Sequence, residues 1–228
     1  MMLQLIDKSK FYFYTALFLI LLSAHNINTN YFLDNLFKIN KIQIVGEIDK
    51  NIRLKILSSL NKLYNSNIFF VDSSKIVNVL DKIHVIGEYK VKKEYPSSIK
   101  IELKETKILA YYIDNNKKIF IGENGKNIKK NNYPLNELPM IVGEVDIKNF
   151  LILKELLIKN GLQLKDFNQL FFFKSKRWDL VYKNKTIIKL PIDNLKFSLK
   201  LLQEMIKNQD IEKIKVIDLR IKDKVFLT

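Results

Sequence analysis

This chain of 228 residues contains no cysteine, one tryptophan, two histidines, four prolines and six glycines. Without thiols it can form neither disulfides nor thiolate metal sites, and it has no cysteine nucleophile. Its imidazoles, His25 and His84, lie beside an apolar run and at the entrance to a strand, and neither is read as catalytic. HExxH, Walker, Rossmann and GxSxG patterns are all missing, so the sequence offers no positioned nucleophile and base and no cofactor fingerprint. The expectation is a protein without enzymatic activity, cofactor or metal.

Arginine is as scarce, occurring only as Arg53, Arg177 and Arg220, so the formal charge of +15 is nearly all lysine. The chain is also crowded with Ile and Asn and poor in Ala and Gly, a bias that AT-rich coding produces without any demand on charge. With no RNP-like motif, Gly-rich phosphate loop or Arg-dense helix, a nucleic-acid partner is not expected.

What the chain does have begins with an apolar run, Phe11 to Ala24 (FYFYTALFLILLSA), behind Lys8 and Lys10 and ahead of His25, Asn26, Asn28 and Asn30. It is short for a spanning helix, which needs about 20 residues. Extension to Ile27, with Tyr12 and Tyr14 at the interface, narrows the gap. The length also suits a cleavable signal, although Leu22-Ser23-Ala24 is a poor cleavage site. The expectation is an uncleaved transmembrane signal anchor over residues 11–27, its lipid-facing set being Phe11, Leu17, Phe18, Leu19, Ile20, Leu21 and Leu22. Residues 1–10 form a cytoplasmic tail too short to fold, 28–38 a linker, and the body is exported.

From Lys41 the periodicity is explicit. Ile42 and Ile44 alternate with polar neighbours in a short strand that Gly46 ends. Asp49 can cap a helix with Ile52, Ile56, Leu60 and Leu63 on one stripe. A second helix follows Asp72, Ser73 or Ser74, with Ile76, Val79, Leu80 and Ile83 at helical spacing. The hairpin EYKVKKEYPSSIKIELKE places Tyr89, Val91 and Tyr95 on one face of its first strand, and Ile99, Ile101 and Leu103 on one face of its second. With Pro96, Ser97 and Ser98 in the turn, Glu94 pairs with Lys100 and Lys92 with Glu102 across the strands. Glu102 and Glu105 thus fall on opposite faces, as register residues rather than an acid/base pair.

Farther on, Leu109 to Ile113 and Lys118 to Ile121 flank Asp114-Asn115-Asn116, and Glu123-Asn124-Gly125 reads as a turn. Asp146 to Lys159 is an apolar helix stopped near Asn160-Gly161. Strands near Phe171, at Trp178 to Tyr182 and at Thr186 to Leu190 precede a helix capped at Asp193, with Leu195, Leu199, Leu202 and Ile206 on its buried stripe. The last strands are expected at Lys213 to Arg220 and Val225 to Leu227. The fold class is α+β, a β-α-α-β-β block over 39–106 followed by a domain over 107–228 with a largely antiparallel sheet and flanking helices. Trp178 is assigned to core or groove lining.

The block IQIVG, NIFFVDSSKIVNVL and VKKEYPSSIKIELKE closely resembles a POTRA domain. Placed after one apolar segment and followed by ILAYYIDNNKKIFIGENGKNI, it is similar to the FtsQ/DivIB family. LPMIVGE resembles that family's LP-x-hydrophobic-x-G element, Lys176-Arg177-Trp178-Asp179-Leu180 its basic, Trp-containing strand, and VIDLRIKDKVFLT its terminal DLR strand pair. The resemblance implies a scaffold of the bacterial division complex, a single-pass type II inner-membrane protein at the septum, which binds the bitopic proteins FtsB and FtsL by strand addition at its terminal edge. Carried onto this chain, the partner-binding candidates are Leu219, Arg220 and Ile221, with Lys176 and Arg177 on the preceding basic strand. Asp218 is assigned first to local capping or a structural salt bridge. Within the POTRA block, Lys41 to Val45 and Lys75 to Asp81 are possible surfaces for other division proteins. The alternative is a POTRA-bearing transport or outer-membrane assembly factor, though neither tandem repeats nor a run of barrel strands supports it.

Overall fold

The computed structural model describes residues 8–23, 35–129, 133–135, 137–208, 211, 214–221 and 224–228. Helix α1, Lys8–Ser23, has 16 residues. At 1.5 Å per residue it reaches about 24 Å, short of a hydrocarbon core about 30 Å thick. No helix among the described residues is long and apolar enough to cross a membrane. This overturns the expected spanning anchor: Phe11 and Leu17 to Leu22 stand exposed on a helix that is too short and that begins with two lysines. Residues 24–27 of the expected span lie outside the described residues.

Beyond α1 the chain forms two compact units, one drawn from residues up to Asp81 with Tyr89–Leu103, the other from Lys82–Glu88 with Lys104–Thr228. In the first, β1 (Lys41–Val45) leads to α2 (Lys50–Ser59), a 3-10 turn at Asn61–Leu63, α3 (Ser73–Asp81) and the hairpin β2 (Ile86–Glu94) and β3 (Ser98–Glu105). The Asp49 side chain accepts the Asn51 N–H at 2.8 Å at the start of α2, and Asp72 accepts the Ser74 N–H at 2.8 Å at the start of α3. Both are N-terminal caps of the expected kind. The sheet order is β1-β3-β2, with β1 parallel to β3. Ile42, Ile44, Ile99, Ile101 and Leu103 turn one face inward, and Ile56, Leu60, Ile76 and Leu80 are buried on the helices. Of the two expected ion pairs, Lys92 and Glu102 meet at 2.9 Å, while Lys100 joins the same Glu102 at 3.2 Å.

The second unit carries β4 (Ile108–Asp114), β5 (Lys117–Gly122), β6 (Asn127–Ile128), β7 (Met140–Gly143), α4 (Ile147–Lys159), β8 (Phe167–Phe172), β9 (Trp178–Tyr182), β10 (Ile187–Lys189), α5 (Leu195–Lys207), β11 (Val216–Asp218) and β12 (Phe226–Leu227). Asn115 and Asn116, at φ 47° and 59°, make the tight β4–β5 turn, a conformation that Asn tolerates better than most residues. The nine strands run β12-β11-β10-β9-β8-β7-β4-β5-β6. Pairings β4–β7, β7–β8 and β10–β11 are parallel, so the sheet is mixed rather than largely antiparallel. The cause is connection: β7 reaches β8 through α4, and β10 reaches β11 through α5, and a helical crossover brings the chain back in the same direction. Phe150, Leu153 and Leu157 of α4 and Leu199 and Leu202 of α5 pack with Leu170, Leu180, Ile188 and Ile217 of the sheet into one core.

Candidate functional site

The site is built at the β12 end of the large sheet. Three strands lie in register there: Leu180, Ile188 and Ile217 are opposite one another, as are Asp179, Lys189 and Asp218. Residues directly opposite share a face. The first row is fully buried in the core, so the second projects an alternating charge row from the other face. Upstream of β11 the chain is pinned by Thr186, whose hydroxyl donates to the Ile214 carbonyl at 2.6 Å, and by Asn184, whose amide donates to the Ile211 carbonyl at 3.0 Å.

Each outer strand of that row is flanked by an arginine two residues from its aspartate, Arg177 just before β9 and Arg220 just after β11. Arg220 donates from Nε to Asp218 Oδ1 at 2.9 Å and from Nη2 to Oδ2 at 2.6 Å. Arg177 donates from the same two atoms to Asp179, at 3.2 and 3.4 Å, and its guanidinium lies 4.4 Å from the Phe173 ring centroid. The carboxylates are the more sheltered members, their side chains 17% and 9% exposed against 44% for Arg220 and 24% for Arg177. Hydrogen bonding from Arg220 holds the Asp218 carboxyl below the ordinary range. At Asp179 burial outweighs the Arg177 charge and pushes the pKa up.

Arg177, Leu219, Arg220 and Ile221 line one groove of about 480 Å³, together with the apolar Ile192, Phe197 and Leu201, a third cation, Lys224, and one carboxylate, Asp193. Leu219 is buried in its wall, and its N–H donates to the Lys189 carbonyl at 2.9 Å. Ile221 and Phe197 are exposed. Lys176 is not among the groove's lining residues: it sits at φ 62° in the turn joining β8 to β9, its N–H donating to the Phe173 carbonyl, rather than on a strand. Trp178 is buried in the core against Phe172, with ring centroids 4.5 Å apart.

Sequence reasoning missed Ile192, Phe197 and Lys224. A signal existed for Phe197, which is apolar but falls between Leu195 and Leu199 and so lies off the buried stripe of α5. Beside the groove runs β12, paired only with β11 among the described residues. Val216 and Thr228 exchange both backbone bonds, at 3.0 and 3.2 Å. By the two-residue alternation of an antiparallel ladder, the N–H and C=O of Leu227 therefore face away from β11.

His84 lies elsewhere, its Nδ1 2.7 Å from the Asn127 carbonyl. No three acidic or imidazole side chains among the described residues converge to hold a metal ion. The fold and the site together define a class: a POTRA-like β-α-α-β-β module followed by a mixed-sheet domain that carries a groove and a short terminal strand. Family models say which member of that class it is, since residues 37–106 match the FtsQ-type POTRA domain and residues 110–220 the C-terminal domain of cell division protein FtsQ/DivIB. The chain is 31% identical over 196 residues to the cell division protein FtsQ of Rickettsia bellii, covering 84% of this chain and 72% of that one. It is 29% identical over 204 residues to the FtsQ of Rickettsia typhi, with the same coverage. The chain belongs to the FtsQ/DivIB family of cell-division proteins.

Proposed function

We propose that this protein is a non-enzymatic scaffold of the division complex. It binds FtsB- and FtsL-like bitopic proteins at its terminal edge and links them to septal peptidoglycan synthesis. The observation that carries this reading is the outward-facing backbone of Leu227, together with a groove lined by Arg177, Arg220 and Lys224 against the carboxylate of Asp193. An unpaired edge supplies backbone hydrogen bonds to an added strand, while neighbouring side chains select the strand. Phe226 and Leu227 are 50% and 51% exposed and lie opposite Asp218 and Ile217, so each face of the edge strand presents an apolar side chain. Arg177, Arg220 and Lys224 suit a partner with carboxylates. Candidate contacts are Arg220, Ile221 and Arg177, with Leu219 shaping the wall and Lys176 more remote.

The test is binding of the full chain to the soluble segment of the FtsB-like protein of the same cell, comparing wild type with Arg220→Glu and Leu227→Pro. Proline at 227 removes the outward N–H and leaves the Val216–Thr228 bonds in place. Saturable binding lost in both variants, with unchanged thermal unfolding, is the expected result. Absent wild-type binding, or binding indifferent to both changes, refutes the reading.

A further inference from the structure

From the paired geometry we infer that Asp218 and Asp179 are positioning residues, which fix the two guanidiniums so that their outer edges meet one acidic segment in the groove. The inference rests on the partner reading above and adds to it the residues that set selectivity.

Both arginines spend the same edge, Nε and Nη2, on their own aspartate. A guanidinium is planar and presents its donors in a rigid fork, so engaging one edge aims the Nη1 end away from that carboxylate. The carboxylates lie beneath and the cations above, a layering that the exposures of the four side chains record. Asp218 is additionally tied down by the Arg220 backbone N–H at 3.1 Å, and Asp179 is the anchor of a second arginine already stacked on Phe173. Lys189 stands between the two aspartates in register, so neither guanidinium can shift to the other's carboxylate without displacing an intervening cation. Both Arg177 and Arg220 line the same groove.

The arrangement sets two physical effects against each other, and their signs differ. If charge alone governs the groove, the aspartates oppose an acidic partner, and removing one raises the local positive potential and tightens binding. If orientation governs, removing the aspartate frees a long side chain that must be immobilised again on binding, and affinity falls. Half-exposed Arg220 has several rotatable bonds to lose, and its bidentate hold restrains them before the partner arrives. Orientation is therefore the larger effect at Arg220.

The experiment uses the full chain and the same FtsB-like soluble segment. Asp218→Asn is expected to weaken binding about tenfold. In an Arg220→Ala background the same Asp218→Asn change is expected to leave affinity unaltered, because an effect exerted through Arg220 has nothing left to act on. Tighter or unchanged binding by Asp218→Asn overturns the inference while Arg220→Glu continues to report on the proposed function. An equal loss in both backgrounds also overturns it, since that pattern marks a structural role. Should wild type fail to bind at all, the proposed function falls and this inference with it.

Discussion

The two sheets of this molecule end differently. One edge of the POTRA sheet is β2, nine residues that carry Glu88, Lys90, Lys92, Lys93 and Glu94. One edge of the large sheet is β12, two residues without a charge and with both side chains exposed. Edge strands invite pairing, and charged side chains, lysine above all, are a common defence. Of these two edges the longer is the defended one, and the uncharged one is short enough to limit templated aggregation. That contrast carries the functional argument more firmly than net charge does, because lysine is spread over the whole chain.

The largest effects are expected in the cores beneath the two sheets. Ile101 lies under the POTRA sheet and Ile217 under the terminal pair, each fully buried. Ile101→Ala and Ile217→Ala should each cost about 4 kcal/mol in denaturant unfolding. Only the second should also reduce partner binding at temperatures where both variants stay folded; equal loss from the two would erase the distinction between the edges.

A shared device offers the next test. Gly46 ends β1 at φ 133° and Gly143 ends β7 at φ 112°, and in each case a Cβ would lie close to a carbonyl of the parallel neighbour, 1.9 Å from that of Leu103 and 2.1 Å from that of Phe172. Alanine at either position should cost about 3 kcal/mol, measured by thermal or denaturant unfolding, since both the φ value and the contact are unfavourable. A neutral substitution at one of them would show that its sheet can relax where the other cannot.

Giving the terminal edge the POTRA edge's defence is gentler. Leu227→Lys should leave stability within about 0.5 kcal/mol, as expected for an exposed position. The same variant should weaken partner binding about tenfold in a titration, as the apolar contact is lost and a fourth cation must be desolvated.

The smallest effect lies within the charge row. Asp218 has a lowered pKa, so its stabilising contribution is present above the ordinary carboxylate range and is lost as pH falls through the lowered value. Asp179 has a raised pKa, so its contribution is present below the ordinary value and is lost as pH rises through the raised one. On acidification Asp179 should take up its proton before Asp218, and carboxyl carbon NMR resolves the order. The reverse order would mean that Arg177 screens its aspartate better than its geometry indicates.

Much of the local structure was legible because single residues dictate it. Asp49 caps its helix through its side chain and Asn115-Asn116 make a turn, whereas the helix expected to be capped at Asp193 begins after Asn194, which makes no side-chain cap bond. Strand direction was not legible: a period of two fixes which face is buried but says nothing of parallel or antiparallel neighbours, so the mixed sheet escaped notice. The penultimate strand, expected over Lys213 to Arg220, is shorter, with β11 confined to Val216–Asp218. Arg220 and its aspartate were visible as a DLR triplet, whereas the groove they line was not. Ile192, Phe197 and Lys224 come from separate segments that only the α5 crossover brings to one place. For α1, composition announced an apolar helix but could not guarantee enough length to span a bilayer.

The same crossover bears on folding order. Because β11 meets β10 only through α5, the β11–β12 pair cannot join the rest of the sheet until the intervening loop closes and that helix docks. A partner that adds a strand to β12 therefore recognises a domain whose packing is already complete. A half-folded chain, with its basic residues all present in sequence, offers no docked edge to extend.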